Sequence, residues 1–233
     1  MKSLLNKYLK RAKELLYFRY TRKSFSQFGE DLILEQALDI IKDKNISYLD
    51  IGANHPYFLS NTYYFYSKGS YGTLIEPDPK LFRILKKKRP LDNVLNIGVG
   101  FGNKIVNAKL YIMSNPALNT FSFEEAKRIE TETKDKIIYD INMELIPINF
   151  ILEDLRSLPS FISIDVEGLD YQILESINFQ KYRPALICAE TLTYQPLTGG
   201  VKIKEIINLM KKKKYKLFAD TRLNTIFIDE NRL

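Results

Sequence analysis

Short apolar runs recur along the chain, and each ends near a glycine, a proline or an acid. Tyr48 to Ile51, Thr73 to Ile75, Phe161 to Ile164 and Ala185 to Ala189 are the clearest. Such runs, with little polar alternation, are the pattern of strands covered on both faces of a parallel sheet. Between them the apolar residues take helical spacing, as in Leu32, Ile33, Ala37, Ile40 and Ile41, or Leu81, Phe82, Ile84 and Leu85. The pattern predicts strands over 48–52, 72–76, 93–97, 104–112, about 143–148, 161–165, 185–190, 214–219 and 224–230. It predicts helices after Asp31 and over 60–68, 79–88, 149–157, 169–177 and about 201–213. Alternating strands and helices imply an α/β domain with a doubly wound, mostly parallel sheet, its ligand at the carboxyl ends of the strands. The last two strands, joined by Asp220 to Leu223, predict an antiparallel C-terminal hairpin.

Two stretches stand apart from this pattern. Gly98, Gly100 and Gly102 mark turns, and residues 113–142 are polar, with a charged block from Glu124 to Lys136. That block reads as a lid, a substrate loop or a solvated helix.

Charge divides the chain in two. Residues 1–23 account for the whole formal net charge of +7, and the rest is balanced. The leader has helical spacing, with Leu4, Leu5, Tyr8, Leu9, Ala12, Leu15 and Leu16 on one face and lysines and arginines on the other. It reads as a basic amphipathic helix, 1–23, ahead of a domain over 24–233. The helix is expected to pack on its own domain or on a partner chain, or to lie on an anionic membrane surface. A neutral body argues against a nucleic-acid substrate. No stretch approaches the ~20 apolar residues of a membrane span, so a cytoplasmic protein, or one peripheral at the inner face of the membrane, is expected. One cysteine, Cys188 in an apolar run, excludes an internal disulfide, and one histidine excludes a multi-histidine metal site.

The candidate chemistry sits at strand ends. Asp50-Ile51-Gly52-Ala53-Asn54 closes the first predicted strand, and Glu76 closes the second, one crossover helix later. An acid at the tip of the second strand is the usual partner of a ribose diol. The turn lacks the G-x-G-x-x-G of a pyrophosphate site, and Pro56 has no amide hydrogen to offer a phosphate. A nucleoside cofactor without phosphates fits better, and S-adenosylmethionine is the common one. Asp50 then serves its ammonium group or the surrounding water, Gly52 lets the backbone approach closely, and Glu76 accepts the ribose hydroxyls. Asp165 and Glu167 follow another buried strand; they read as a base, a divalent-ion ligand or an acceptor for a substrate hydroxyl. The alternative is that Glu167 caps the next helix and Asp165 orders the turn. Glu190 ends the neighbouring strand. His55 reads as a general base or as a residue that orients its own turn. The run Lys86 to Arg89 reads as the positive complement to a helix C-terminus.

Several segments in order, Ser26-Gln27-Phe28-Gly29-Glu30-Asp31, Leu49 to Pro56, Ser60-Asn61-Thr62-Tyr63, Ile75-Glu76-Pro77-Asp78-Pro79, Ala117-Leu118-Asn119-Thr120, Ile164 to Asp170, Tyr182-Arg183-Pro184 and Cys188-Ala189-Glu190, resemble the FkbM family of S-adenosylmethionine-dependent methyltransferases. The resemblance runs from about residue 24 to about 230. It implies a Rossmann-like class I methyltransferase fold and O-methylation, often of sugars or polyketides. It implies Asp50, Gly52, Asn54 and Glu76 at the cofactor, Gln27 and Glu30 closing over it, and Asp165 and Glu167 facing the acceptor. The chain departs from the family pattern at His55-Pro56-Tyr57-Phe58, where many members carry Gly-x-x-Ser.

Together these readings predict an O-methyltransferase acting on a saccharide or glycoconjugate hydroxyl, as in polysaccharide biosynthesis. A non-catalytic module of the same fold, attached to a membrane or a glycan-assembly complex, is the alternative. A nicotinamide oxidoreductase is disfavoured by the missing glycine-rich turn.

Overall fold

A computed structural model of the chain describes residues 21–166, 168–193 and 200–233. Most of the expected leader helix, and Glu167, lie outside the described residues.

The main sheet has seven strands. In chain order they are β1 (Ser47–Ile51), β2 (Tyr71–Ile75), β3 (Asn93–Leu95), β7 (Phe161–Ile164), β8 (Leu186–Glu190), β9 (Tyr215–Asp220) and β10 (Asn224–Asp229). Their spatial order is β3-β2-β1-β7-β8-β10-β9. The first five are parallel to one another, and β10 runs antiparallel to both β8 and β9. The doubly wound sheet and its antiparallel C-terminal hairpin agree with the sequence pattern.

Successive residues of a strand face opposite sides, and here each side carries its own helices. Leu49, Ile51, Ile162, Ile164 and Ile187 pack against α5 (Ile148–Asp154), α6 (Asp170–Ser176) and α7 (Lys204–Lys212). Tyr48, Leu74, Phe161, Leu186 and Cys188 pack against α1 (Glu30–Ile40), α2 (Tyr63–Ser67) and α3 (Pro79–Lys88). Asp50, Ser163 and Cys188 are paired across β1, β7 and β8 and share the α1–α2 side. That row ends at the site described below.

The α3 helix starts where its caps dictate. The Asp78 side chain accepts from the Lys80 amide at 2.7 Å, and Pro79 takes the first helical position. Lys86, Lys87 and Lys88 occupy its last turn, as expected. Arg89 does not join them: it is 1% exposed and turns inward.

A second sheet was not read from the sequence. It is formed by β4 (Gly98–Gly100), β5 (Val106–Met113) and β6 (Ile137–Pro147), in the order β4-β6-β5. Two expectations are corrected by it. Gly98 and Gly100 lie in a strand, where a Cβ at Gly98 would come within 2.4 Å of Leu145; they serve close packing. The strand expected at about 143–148 begins at Ile137, inside the polar block. It is long because it pairs with β5 along an exposed ribbon, and its residues from Ile138 to Asp140 face solvent. The block also holds α4 (Phe123–Glu132), which buries Ala126 and Ile129 against Met113 and Leu118.

Candidate functional site

The carboxyl ends of β1, β2, β7 and β8 meet at a cavity of about 280 Å³, near the lower end of small-molecule sites. Gln27, Asp50, Gly52, Asn54, Glu76 and Asp165 line it, as does Glu190. Parallel packing of β1, β2 and β7 brings these residues together although they are far apart in sequence.

Glu76 is 4% exposed and follows β2 directly. Its Oε2 accepts from the Asn54 amide at 2.8 Å, and its Oε1 from the Asp78 amide at 2.8 Å. Each oxygen keeps further acceptor capacity. Burial pushes this carboxyl up to about 7, against the two amide hydrogen bonds. Asn54 reaches Glu76 by adopting a left-handed conformation, φ 48°, which asparagine tolerates better than most residues. Asn96 Nδ2 donates to the carbonyls of Glu76 and Pro77 at 2.9 and 2.8 Å and fixes the segment from behind.

Asp50 is also buried, and its Oδ2 accepts from the Thr62 hydroxyl at 2.6 Å. Burial pushes its carboxyl up to about 6, opposed by Thr62 and by the Arg89 charge. Asn61 Nδ2 donates to Ser163 Oγ at 3.1 Å and so crosses the row next to Asp50.

Gly52 serves the frame as well as the cavity. Its φ is +82°, and an added Cβ would stand 1.9 Å from the Asp165 carbonyl oxygen. The close approach it permits is therefore between the ends of β1 and β7. The expectation of close approach to a cofactor is supplemented by this contact between strands.

Asp165 is accessible along the cavity wall, while its carboxyl is pushed upward by its deep surroundings and held down by a side-chain hydrogen bond with Glu190. The turn that carries Asp165 is ordered by Asp170, whose Oδ1 accepts from the Val166 amide at 3.2 Å. Burial and the nearby Asp165 push Asp170 up to about 7.

Two predicted residues are not brought to the cavity lining. Glu30 is fully buried, and its carboxylate accepts from Thr221 Oγ1 at 2.7 Å, Asn224 Nδ2 at 3.1 Å and the Phe28 amide at 2.8 Å. It ties the start of α1 to the β9–β10 turn, and Gln27 alone of that pair lines the cavity. His55 Nδ1 accepts from the Phe58 amide at 2.9 Å within its own turn, and burial holds its pKa below the usual value. The sequence reading also missed Asn119. It lines the cavity, its Oδ1 accepts from the Met113 amide at 2.8 Å, and its Nδ2 donates to Asp78 Oδ2 at 3.2 Å. The only signal for it was its place in the Ala117-Leu118-Asn119-Thr120 segment.

Among the described residues no group of three or more His, Cys, Asp or Glu is placed to hold a metal ion. No described helix is long and apolar enough to cross a membrane.

The family profile described as "Methyltransferase FkbM domain" matches residues 50–217. The chain belongs to this family. That span contains Asp50, Glu76, Asp165 and Glu190, so the FkbM domain holds the strand-end acids of the cavity. The α/β architecture, with its mostly parallel sheet and antiparallel last strands, is that of a class I methyltransferase. No curated protein matches the chain. Solved structures match the chain at low identity. A putative caffeoyl-CoA O-methyltransferase from Staphylococcus aureus is 13% identical with a TM-score of 0.45, covering 97% of this chain and 98% of that one. A TehB-like SAM-dependent methyltransferase from Corynebacterium glutamicum is 11% identical with a TM-score of 0.41, covering 98% and 100%. An O-methyltransferase from Bacillus cereus in complex with SAH is 10% identical with a TM-score of 0.41, covering 97% and 91%. Likenesses at these levels assign neither substrate nor cofactor to the FkbM domain described here.

Proposed function

We propose that this FkbM domain is an S-adenosylmethionine-dependent O-methyltransferase acting on a saccharide or glycoconjugate hydroxyl. The observation that carries the reading is the placement of Glu76, buried at the cavity wall and held by the Asn54 and Asp78 amides. A carboxylate fixed in this way, with acceptor capacity left over, fits the two hydroxyls of an adenosine ribose. Asp50, lining the same cavity one strand away, fits the cationic amino end of the same molecule. The two carboxylates thus suit a nucleoside with a positive tail.

When bound, S-adenosylmethionine supplies a methyl group activated by its sulfonium. The protein's part is to align an acceptor oxygen, exclude water and accept the hydroxyl proton. We assign the proton to Asp165, an exposed residue of the cavity wall that shares the lining with Glu190. The saccharide assignment is supported by Phe58, an exposed ring that lines the cavity together with these carboxyl groups. Apolar ring faces beside hydrogen-bond acceptors match the two surfaces of a sugar.

The test combines calorimetry with S-adenosylhomocysteine and transfer of labelled methyl to a panel of mono- and oligosaccharides, followed by mass spectrometry. Binding together with methylated sugar supports the reading. Absence of binding overturns it, and transfer only to acceptors of another class overturns the saccharide assignment.

A further inference from the structure

Arg89 is the largest fully buried side chain among the described residues, and its partners explain why it is there. Its Nε donates to Asp92 Oδ2 at 2.7 Å. Its Nη1 donates to the Pro56 carbonyl at 3.0 Å. Its Nη2 donates to Tyr48 Oη at 3.0 Å and to Thr62 Oγ1 at 3.3 Å. Asp92 Oδ1 in turn accepts from Tyr48 Oη at 2.8 Å and from the Gly72 amide at 2.8 Å. The Tyr66 ring lies 4.4 Å from the guanidinium carbon, measured to its centroid.

Taking a guanidinium out of water is costly, and a purely packing role is served as well by an apolar side chain. Two of its contacts lead to the cavity. Pro56 belongs to the turn that starts at Asn54 and ends at Leu59, both cavity-lining and both left-handed, with φ 48° and 56°. Thr62 leads to Asp50. Arginine has donors and no acceptor, so Thr62 receives a proton from Arg89 and directs its own to Asp50 Oδ2 at 2.6 Å.

We infer that Arg89 is a positioning residue for the cavity, acting on Asp50 through Thr62 and on the Asn54–Leu59 turn through the Pro56 carbonyl. The inference rests on the reading of the cavity as a cofactor site only for its effect on binding. Its effect on Asp50 is independent of that reading. Thr62, Arg89, Asp92 and Asp165 are the groups that act on the Asp50 carboxyl, and Glu76 and Cys188 feel its charge. Thr62 and Arg89 lower its pKa against burial, while Asp92 and Asp165 raise it. Losing the Thr62 hydroxyl therefore leaves Asp50 protonated closer to neutrality.

The experiment uses the full chain with Thr62→Val, Thr62→Ser and Arg89→Lys, each checked by thermal melting. Carboxyl NMR titration of the ligand-free protein, with Asp50→Asn for assignment, reads the Asp50 midpoint. Calorimetry with S-adenosylhomocysteine at pH 6.5 reads affinity. In Thr62→Val the midpoint is expected to rise by about one pH unit, and binding at that pH to weaken about threefold. Thr62→Ser keeps the hydroxyl and is expected to titrate and bind as wild type. Arg89→Lys cannot span both contacts and is expected to shift the midpoint in the same direction. An unmoved Asp50 midpoint in folded Arg89→Lys overturns the inference, and should that variant not fold, an unmoved midpoint in Thr62→Val does so, because Thr62 then carries nothing to Asp50. A wild-type protein that binds no S-adenosylhomocysteine overturns the cofactor reading instead, while the NMR midpoints still decide the role of Arg89.

Discussion

Glu76 Oε2 accepts the Asn54 amide at 2.8 Å, so the acid that ends β2 is clamped to the turn that follows β1. This contact holds a buried carboxyl, pushed up to about 7, at the cavity wall. Hydroxyl donors arriving from a ribose favour its charged form. S-adenosylhomocysteine binding at pH 7 is therefore expected to release a fraction of a proton. Calorimetry in buffers of different ionisation heat measures it. Glu76→Gln should bind at least about tenfold more weakly and release less; equal heats in all buffers with the wild-type protein would remove the ribose assignment.

The same burial sets the response of the ligand-free protein to pH. Asp50, Glu76 and Asp170 are raised to about 6, 7 and 7. A carboxyl with a raised folded pKa stabilises most below its unfolded value, and that stability is lost as pH rises through the folded value. Thermal melting should therefore drop between about pH 5 and pH 8, and Glu76→Gln should flatten the drop. A melting temperature that climbs over this interval would contradict the assignment.

Gly52 joins two strand ends. Alanine there meets the Asp165 carbonyl oxygen at 1.9 Å and must adopt φ +82°. Steric overlap and backbone strain together are expected to cost about 3 kcal/mol, read by urea unfolding. A Gly52→Ala protein as stable as wild type would show that the turn relaxes freely.

Asp165 and His55 separate in their expected effects. Asp165→Asn should lower methyl transfer about 100-fold or more while S-adenosylhomocysteine affinity changes little. His55→Ala removes the acceptor of the Phe58 amide and should cost about 1 kcal/mol of stability, with the pH profile of turnover unchanged. A profile that loses its basic or acidic limb in His55→Ala would return the histidine to the chemistry.

Much of the site was legible because its residues end apolar runs. Asp50, Glu76, Asp165 and Glu190 lie near the end of, or just after, runs that read as buried strands, and parallel strands carry their ligand at that end. Glu30 shows the limit of the same logic. Its segment was recognisable, but whether its carboxylate turns to the cavity or to Thr221 and Asn224 depends on a turn almost two hundred residues away. The β4-β6-β5 sheet was hidden for a different reason. Alternation marked 104–112 and about 143–148 as strands, but Gly98 and Gly100 read as turns and the exposed start of β6 carries no apolar periodicity, so neither the third strand nor the pairing was visible.

By itself, then, the chain's pattern determined the doubly wound sheet, the C-terminal hairpin and the set of acids at strand ends, because burial on two faces leaves a local signature. Tertiary structure alone decided which carboxyls share the cavity, that Asp165 meets Glu190, and that Arg89 leaves its basic run to reach Pro56 and Thr62. Hydrogen bonds between residues distant in sequence have no periodicity; they exist only once packing has brought their partners within reach.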